Sequence, residues 1–476
     1  MTAPPPGLRA GAFEVDITPP LDVPLGSGFN PPAVGGIADP LRARALVIGD
    51  GTTRVAVACA DILAVDPQLS RDVRRLVEAR TGITPAHTMV CATHTHTCGG
   101  RLQPSRGNGD PALMELLARQ IAGAVAGAAE RLNPAHVTAA RATVEGISVN
   151  RRDPALPVDR TLRVLRVDSG GALLAVLTAF ACHPTLVSRE RPVLSADFPG
   201  TLADSVTAIF GRRVVVLPAN GACGDVNPVM AGRDGLEAAR RIGRILGGET
   251  VSLLARLDRA GEAPRAENTR LGAALAVGPS RADDTARARP PVRAATATVQ
   301  VPYKRFRSAD ETDAEAAEVA RRLAEAGVPA SRVAAWQAGR TVDAADAPPA
   351  EGETARLVGR LLRLRSEAWS ARVAQFQGVV GREVRELELQ AFAFGPDVAL
   401  LAVPFELFSR IGLDVMTGSP FRHLFLIGYA NDLGGYLMPD DEYARDGFEA
   451  GITFYGPGAA DAVRACAAGL LGALAR

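Results

Sequence analysis

The 476-residue sequence is short of several features, and each shortage narrows the classes of protein it can belong to. Lysine occurs only as Lys304, and 53 basic residues balance 52 acidic ones, so no basic stripe indicates nucleic acid or an anionic membrane as a partner. No apolar run reaches the roughly 18–20 residues that span a bilayer, so we expect no integral membrane segment. The N-terminus lacks a charged region followed by an apolar run, and we therefore expect a cytoplasmic protein.

Cysteine and histidine are also scarce, with six of each. The cysteines lack the paired C-x-x-C spacing of zinc ribbons and redox motifs, and several lie in apolar, strand-like runs. Reduced, packed thiols are the expected state. The positions of the few histidines therefore carry more information than those of the cysteines.

The order of apolar segments predicts an α/β fold, with a mixed β-sheet core flanked by helices. "RALVIGD" and "RVAVACADI" flank a turn and predict a hairpin, and residues 110–132 have helical periodicity. Residues 258–295 predict a surface connection, and two helices follow at about 310–326 and 354–374. We expect one domain over residues 1–476, with an insertion or substrate-facing region at 258–380 whose helical part covers about 305–375.

Polar side chains recur where apolar strands end. They are His94, His96, His183, Asp225 and Glu406. In α/β folds, ligands bind in the crevice outside the carboxyl ends of the strands. The sequence therefore predicts an active site at these strand ends.

The segment "VCATHTHTCGG" places two histidines one residue apart. In an extended segment, His94 and His96 share one face, and Gly99–Gly100 let the chain turn away. Imidazole is a common zinc ligand, but one such pair also suits two ordinary loop histidines. The spacing does not decide which of the two is a ligand. Thr97–Cys98 after the pair excludes the metallo-β-lactamase motif, and the chain lacks the eight βα units of an amidohydrolase barrel.

A series of short motifs gives a more specific indication. In chain order they are "GAFEVDITPP", "THTHTCGG", "NRRDP", "CHPTLVS", "SADFPG", "GACGDVNP", "VPFELFSRIG" and "GGYLMPDDEYARDGFE". From about residue 11 to about 460, this series resembles the neutral ceramidase family. The resemblance implies a zinc-dependent hydrolase that cleaves an N-acyl amide, and we expect no C-terminal immunoglobulin-like domain.

The resemblance also implies the roles of individual residues. One zinc ion per chain would be held by His94, His183, Glu406 and Tyr436. His96 and Arg151 would serve the chemistry around the scissile carbonyl. Without the resemblance, Arg151 reads as a surface salt bridge and Tyr436 as a packed tyrosine.

Two positions depart from the family pattern. Asn227 stands where the family has a serine, and Phe448 stands where it has a tyrosine that supports the oxyanion. A serine nucleophile is excluded at position 227, although the amide of Asn227 can donate a hydrogen bond to an oxyanion. We therefore expect a metal hydrolase with an altered substrate.

Two aspartates have two interpretations each. Asp225 suits an Asx turn and Asp197 suits a helix cap, but either one can instead orient His96 or His183. Asp61 is another candidate for such an orienting role.

The predicted function is zinc-dependent hydrolysis of a linear N-acyl amide by a metal-activated water, on a small-molecule substrate smaller than ceramide. The alternatives are an esterase, lactonase or amide-forming acyltransferase with the same site, or a metal-binding pseudoenzyme. The residues assign no oligomeric state.

Overall fold

The computed structural model describes residues 7–21, 23–24, 33–100, 102–187, 192–229, 235–259, 285–288, 291–337 and 352–476. Its strands are β1 (Arg9–Asp16), β2 (Gly36–Ile37), β3 (Arg42–Gly49), β4 (Arg54–Ala60), β5 (Thr88–Ala92), β6 (Leu102–Gln103), β7 (Asn108–Gly109), β8 (Asn133–Thr143), β9 (Ser148–Asn150), β10 (Thr161–Ser169), β11 (Ala172–Phe180), β12 (Val193–Leu194), β13 (Val215–Asn220), β14 (Val226–Pro228), β15 (Thr285–Ala288), β16 (Val292–Pro302), β17 (Val384–Phe394), β18 (Val398–Ala402), β19 (Phe405–Leu407), β20 (His423–Ile427) and β21 (Gly435–Leu437). Its helices are α1 (Pro67–Thr81), α2 (Pro111–Ala129), α3 (Asp197–Phe210), α4 (Gly235–Arg259), α5 (Ala309–Glu325), α6 (Ala330–Gln337), α7 (Glu353–Phe376), α8 (Ser409–Thr417), α9 (Phe448–Ile452) and α10 (Ala459–Ala475).

Two mixed sheets form the centre of the fold. The larger has the order β13-β11-β10-β8-β1-β3-β4-β5, with β15 also paired to β8, and the smaller has the order β16-β17-β18-β20. Most neighbours are antiparallel, but β4–β5, β11–β13 and β18–β20 are parallel pairs. These three parallel pairs matter because loops at the ends of their strands carry the candidate site.

The sheets pack face to face and helices cover their outer faces. One apolar cluster joins β1, β3, β4, β11 and β13 of the larger sheet to β17, β18 and β20 of the smaller one. Helices α1 and α2 cover part of the outer face of the larger sheet, and α3 and α4 cover the rest. Helix α10 covers the outer face of the smaller sheet. Strands β4, β5, β13, β18 and β20 are therefore buried along almost their whole length, which explains their continuous apolar sequences.

The predicted α/β class with a mixed sheet core is confirmed. The predicted hairpin forms as the antiparallel pair β3–β4, and the helix predicted at 110–132 forms as α2, capped by the carboxylate of Asp110. The two helices predicted at about 310–326 and 354–374 form as α5 and α7. Helix α6 lies between them, and its eight residues are too few for a clear periodic signal.

The region at 258–380 contains sheet strands as well as helices. Strand β15 pairs with β8, and β16 pairs along its whole length with β17, so both strands belong to the two central sheets. Helices α5, α6 and α7 pack on one another around Leu323, Trp336 and Leu361. Much of the predicted surface connection, residues 260–284, lies outside the described residues.

One described helix, α2, is long and apolar enough to cross a membrane by length and composition alone. In this fold its apolar face packs against β1, β3 and α1, as expected for a core helix.

Candidate metal centre

Four predicted site residues meet where strand ends converge. His94 follows β5, His183 follows β11, and Glu406 and Tyr436 lie in the short strands β19 and β21. Strands β19 and β21 are parallel, and Glu406 is the register partner of Tyr436. The chain thus brings together side chains that are more than 300 residues apart in sequence.

The two histidine rings face one carboxylate oxygen. The Nε2 atom of His94 lies 3.4 Å from Oε2 of Glu406, and the Nε2 atom of His183 lies 3.5 Å from the same oxygen. The Nε2 atom of His96 lies 3.3 Å from that of His94. One ring nitrogen from each of the three histidines falls within 4.8 Å of the others. This spacing places several donor atoms around one point.

Hydrogen bonds to the main chain fix the orientation of two of the rings. The Nδ1 atom of His94 donates to the carbonyl oxygen of Leu63 at 2.6 Å, and that of His183 donates to the carbonyl of Cys223 at 2.6 Å. A carbonyl oxygen only accepts, so Nδ1 carries the proton when each ring is neutral. The lone pair is then on Nε2, the atom that points to Glu406.

The surroundings of His183 favour its neutral form, whereas those of Glu406 favour its ionised form. Burial, together with the nearby charge of Arg151, lowers the pKa of His183 to about 4, so the ring is neutral at physiological pH. Although burial opposes ionisation of Glu406, the facing rings of His94 and His183 hold the pKa of that carboxyl well below its ordinary value. The Nε2 atom of His183 is buried and has no hydrogen-bond partner within the described ranges. A neutral imidazole and a carboxylate are the protonation states that ligate metals.

The residues fit a divalent metal ion. An unsatisfied buried Nε2 costs free energy unless something occupies it, and a metal ion satisfies it together with Glu406. Nitrogen and oxygen donors of this kind suit zinc and other first-row ions.

Arg151 donates a hydrogen bond to Tyr436, and its other contacts leave few donors for a substrate. Its Nη2 donates to the hydroxyl of Tyr436 at 3.1 Å and to the carbonyl of Gly224 at 2.8 Å. Its Nε donates to Glu449 at 2.7 Å, and its Nη1 lies 3.3 Å from Oδ1 of Asn227. The side chain is largely buried, so the residue belongs to an internal network and not to a surface salt bridge.

Asn227 and Phe448 border this network. The side-chain oxygen of Asn227 faces Arg151, which leaves its NH2 group as the donor available to a ligand. The ring of Phe448 meets that of Tyr436 edge-on, with centroids 5.9 Å apart. The two positions that depart from the family pattern therefore contact the candidate centre or its support.

Glu449 and Tyr429 support the site and were missed by sequence reasoning. Glu449 also accepts from Arg152, which in turn donates to Glu442 at 2.7 Å. Tyr429 stacks on the ring of His94 with centroids 3.8 Å apart, and its hydroxyl lies 3.0 Å from Sγ of Cys223. The only available signal was position, because both lie in motifs that follow buried strands.

Backbone strain concentrates near the site. Within the described ranges, the non-glycine residues with positive φ are His94, Asp197, Tyr429 and Asn431, at 55° to 71°. Such conformations cost about 1–3 kcal/mol each and persist where the surrounding structure enforces them. The enforcing contacts include the hydrogen bond from Val90 N to the side chain of Asn431.

Asp197 joins the segment after His183 to the start of α3. Asp197 accepts hydrogen bonds from the backbone of Leu186, Val187 and Phe198, so it fixes the segment after His183 as well as the start of α3. Burial raises the pKa of Asp197 to about 6.

Asp225 and Asp61 have structural partners too. Asp225 accepts from Asn150 and from the backbone and hydroxyl of Ser409, joining β9 to the segment after Glu406. Asp61 pairs with the buried Arg44, away from the ring nitrogens.

Comparison with known proteins shows which family the chain is similar to. Residues 9–234 match the family model described as neutral/alkaline non-lysosomal ceramidase, N-terminal. The neutral ceramidase of Mycobacterium tuberculosis is 28% identical over 204 residues, which covers 38% of this chain and 32% of that protein. The matched segment thus spans about a third of that relative's length.

Two solved structures share the fold. The neutral ceramidase of Pseudomonas aeruginosa superposes with a TM-score of 0.68 at 19% identity, covering 98% of this chain and 74% of that one. A ceramidase described as complexed with C2 gives a TM-score of 0.68 at 18% identity, covering 98% and 75%. The chain is therefore ceramidase-like, related to neutral ceramidases by sequence over residues 9–234 and by fold over nearly its whole length.

Proposed function

We propose that the protein is a zinc-dependent hydrolase that cleaves a linear N-acyl amide smaller than ceramide. The observation that carries the proposal is the convergence of the Nε2 atoms of His94 and His183 on one oxygen of Glu406. The relation to neutral ceramidases supports an amide as the bond that is cleaved.

Zinc would be held by His94, His183, Glu406 and Tyr436, one ion per chain. When bound, such an ion lowers the pKa of a coordinated water toward about 7 and polarises a carbonyl. Burial and the charge of Glu406 raise the pKa of Tyr436 above its ordinary value, whereas Arg151, which donates a hydrogen bond to the hydroxyl, acts in the opposite direction.

His96 is suited to proton transfer. It is less buried than His94 and His183, and its Nε2 faces the same point. An amide nitrogen must gain a proton as it leaves, and an imidazole at this position can deliver it. The NH2 group of Asn227 would stabilise negative charge on the carbonyl oxygen, and the hydrogen bonds from Arg151 to Asn227 and Tyr436 support their positions.

The two departures from the family pattern support a changed substrate. Asn227 is larger than serine and supplies a fixed donor, whereas Phe448 removes a hydroxyl. Both changes alter the surroundings of the reacting carbonyl and leave the four metal positions intact.

Hydrolysis assays on purified protein test the proposal. A panel of N-acyl amides and the esters with the same acyl chains is incubated with zinc-loaded and chelator-treated protein. We expect amide cleavage that chelation abolishes, that zinc restores, and that His94→Ala loses together with its bound zinc. Faster cleavage of the esters identifies an esterase, and zinc binding without turnover of either series identifies a pseudoenzyme.

A further inference from the structure

Arg106 is a charged side chain beside the candidate centre whose hydrogen-bond donors have no acceptor among the described residues. It ends a short 3-10 turn at Pro104–Arg106 and is only partly buried. Its guanidinium lies 5.4 Å from the ring centroid of Trp369 and 5.9 Å from that of Phe454. In the described part of the chain, no side-chain or carbonyl oxygen accepts a hydrogen bond from it.

Two other arginines near the site are paired with carboxylates. Arg151 pairs with Glu449, and Arg385 donates to Asp432 at 2.9 Å. Burial acts to lower the pKa of Arg385, but Tyr455 and Asp432 raise it above its ordinary value. For Arg106 burial prevails and the pKa is lowered, although the guanidinium remains charged. Arg106 therefore differs from these two arginines in having no paired carboxylate within the part of the chain that the structure describes.

The guanidinium lies directly beside the metal ligands. A Cβ atom placed on Gly435, the residue before Tyr436, would come within 3.0 Å of Nη2 of Arg106. After burial, the charge of Glu406 has the largest influence on the pKa of Arg106. The donors of Arg106 are therefore within reach of a molecule that also contacts the candidate centre.

The backbone of this arginine is held firmly in place. Asp66, which caps α1, accepts from the backbone N–H and the hydroxyl of Ser105 at 3.0 and 2.5 Å. The side chain of Gln377 donates to the carbonyl of Ser105 at 2.7 Å. The turn is thus anchored to two elements that are distant in sequence, and the arginine is positioned in advance.

Stacking on aromatic rings leaves the edge of a guanidinium free. The guanidinium carbon of Arg106 lies over the rings of Trp369 and Phe454, and the five N–H donors of a guanidinium form a fork that matches a carboxylate. Packing against the two rings does not require a charged side chain, so packing alone does not explain why an arginine is present here. A cation beside a metal centre, with no acceptor of its own, suits an anionic ligand.

We propose that Arg106 binds an anionic group of the substrate, so that the site takes N-acyl amides that carry a carboxylate, as in N-acyl amino acids. The inference rests on the proposed function and adds the substrate class to it. Arg106 acts here as a binding and specificity residue, with the stacked rings setting the direction of its fork.

Binding of ligands that are not turned over tests this without catalysis. The probes are the ketone isostere of N-decanoylglycine, in which a methylene replaces the amide nitrogen, and the carboxamide of the same isostere. Titration calorimetry on the zinc-loaded full chain should show at least about tenfold tighter binding of the carboxylate, as a charge-assisted hydrogen bond provides. Arg106→Gln should remove that preference, and Arg106→Lys should restore part of it.

Arg119→Gln is the matched control, because Arg119 is an exposed arginine of α2 that pairs, among the described residues, with Glu115 alone. It should keep the full preference, and the thermal midpoints of all variants show whether they are folded. Equal binding of the two ligands by the unchanged protein, binding of neither, or a preference that survives in a folded Arg106→Gln overturns the inference.

The same variants separate this inference from the hydrolase proposal. With N-decanoylglycine and N-decanoylglycinamide as substrates, Arg106→Gln should lower the ratio of their kcat/KM values at least about tenfold. Hydrolysis without that ratio change contradicts the role of Arg106 only. Arg106-dependent binding without hydrolysis of any amide contradicts the hydrolase only.

Discussion

Glu406 and Tyr436 are register partners on two parallel strands of three residues each. Directly opposite residues of neighbouring strands project to the same side, so this pairing aligns a carboxylate and a phenol without help from loops. The hydrogen bond from the backbone N–H of Ser409 to Asp225 holds the segment after Glu406, and the hydrogen bond from Arg151 to the hydroxyl holds Tyr436. In the candidate centre, Glu406 and Tyr436 thus lie on strands, whereas the histidines lie on loops.

Tyr429 should maintain metal affinity by holding the ring of His94. Tyr429→Leu removes the stacked ring, and we expect zinc affinity to fall about 10–100-fold, as for other residues that orient ligands. Tyr429→Phe keeps the ring and loses only the contact with Cys223, so its affinity should stay within about threefold of the original. Competition with a chromophoric chelator measures both, and equal losses in the two variants would contradict the stacking role.

Glu449 should be essential for stability as well as for the site. Glu449→Gln leaves Arg151 and Arg152 without their shared carboxylate, and we expect the free energy of unfolding to fall by about 3 kcal/mol. Glu115→Gln breaks an exposed pair of α2 and should cost less than about 0.5 kcal/mol. Urea denaturation of both variants gives the comparison. A cost at Glu449 no larger than at Glu115 would show that the network is not coupled to folding.

Gly224 should tolerate no side chain, because the backbone of Glu406 and Leu407 lies too close to it. A Cβ atom at Gly224 would come within 2.5 Å of the carbonyl oxygen of Glu406 and 2.9 Å of that of Leu407. We expect Gly224→Ala to destabilise the protein by about 1–3 kcal/mol and to weaken zinc binding. Gly248, inside α4, has open space around it, and Gly248→Ala should stabilise the helix by about 0.5–1 kcal/mol. Thermal unfolding monitored with and without zinc distinguishes the two, and equal effects would contradict the steric argument.

Lys304, the one lysine of the chain, should titrate near neutrality. Burial lowers its pKa to about 7, although Glu367 acts in the opposite direction, and its ammonium donates to the carbonyl of Gly451. Between that pKa and the ordinary value near 10.4, the unfolded chain binds more protons, so stability from this group rises with pH across the interval. The ε-carbon resonance of a selectively labelled protein measures the pKa directly. A midpoint near 10.4, or an unchanged pH slope of stability in Lys304→Met, would contradict it.

Much of the site was accessible from sequence because its residues end apolar strands. The pair at His94 and His96, His183 after its buried strand and Glu406 after another all carry that signal. The carbonyls of Leu63 and Cys223 that orient the rings had no signal, since every residue offers a main-chain acceptor.

Other features of the fold depend on distant contacts. Strands β19 and β21 are too short for a period of two to be visible, so their pairing followed only from the structure. The face-to-face packing of the two sheets could not be predicted either. A strand that is buried on both faces has a continuous apolar sequence whether a helix or another sheet packs against it.

Anomalous diffraction at the zinc absorption edge, from crystals of the zinc-loaded protein, tests whether one zinc ion is bound where the four residues meet. We expect one strong peak per chain, with the ion coordinated by Nε2 of His94, Nε2 of His183, a carboxylate oxygen of Glu406 and the hydroxyl of Tyr436. A zinc-loaded crystal with no peak at this position, or with the ion bound by other side chains, would contradict it.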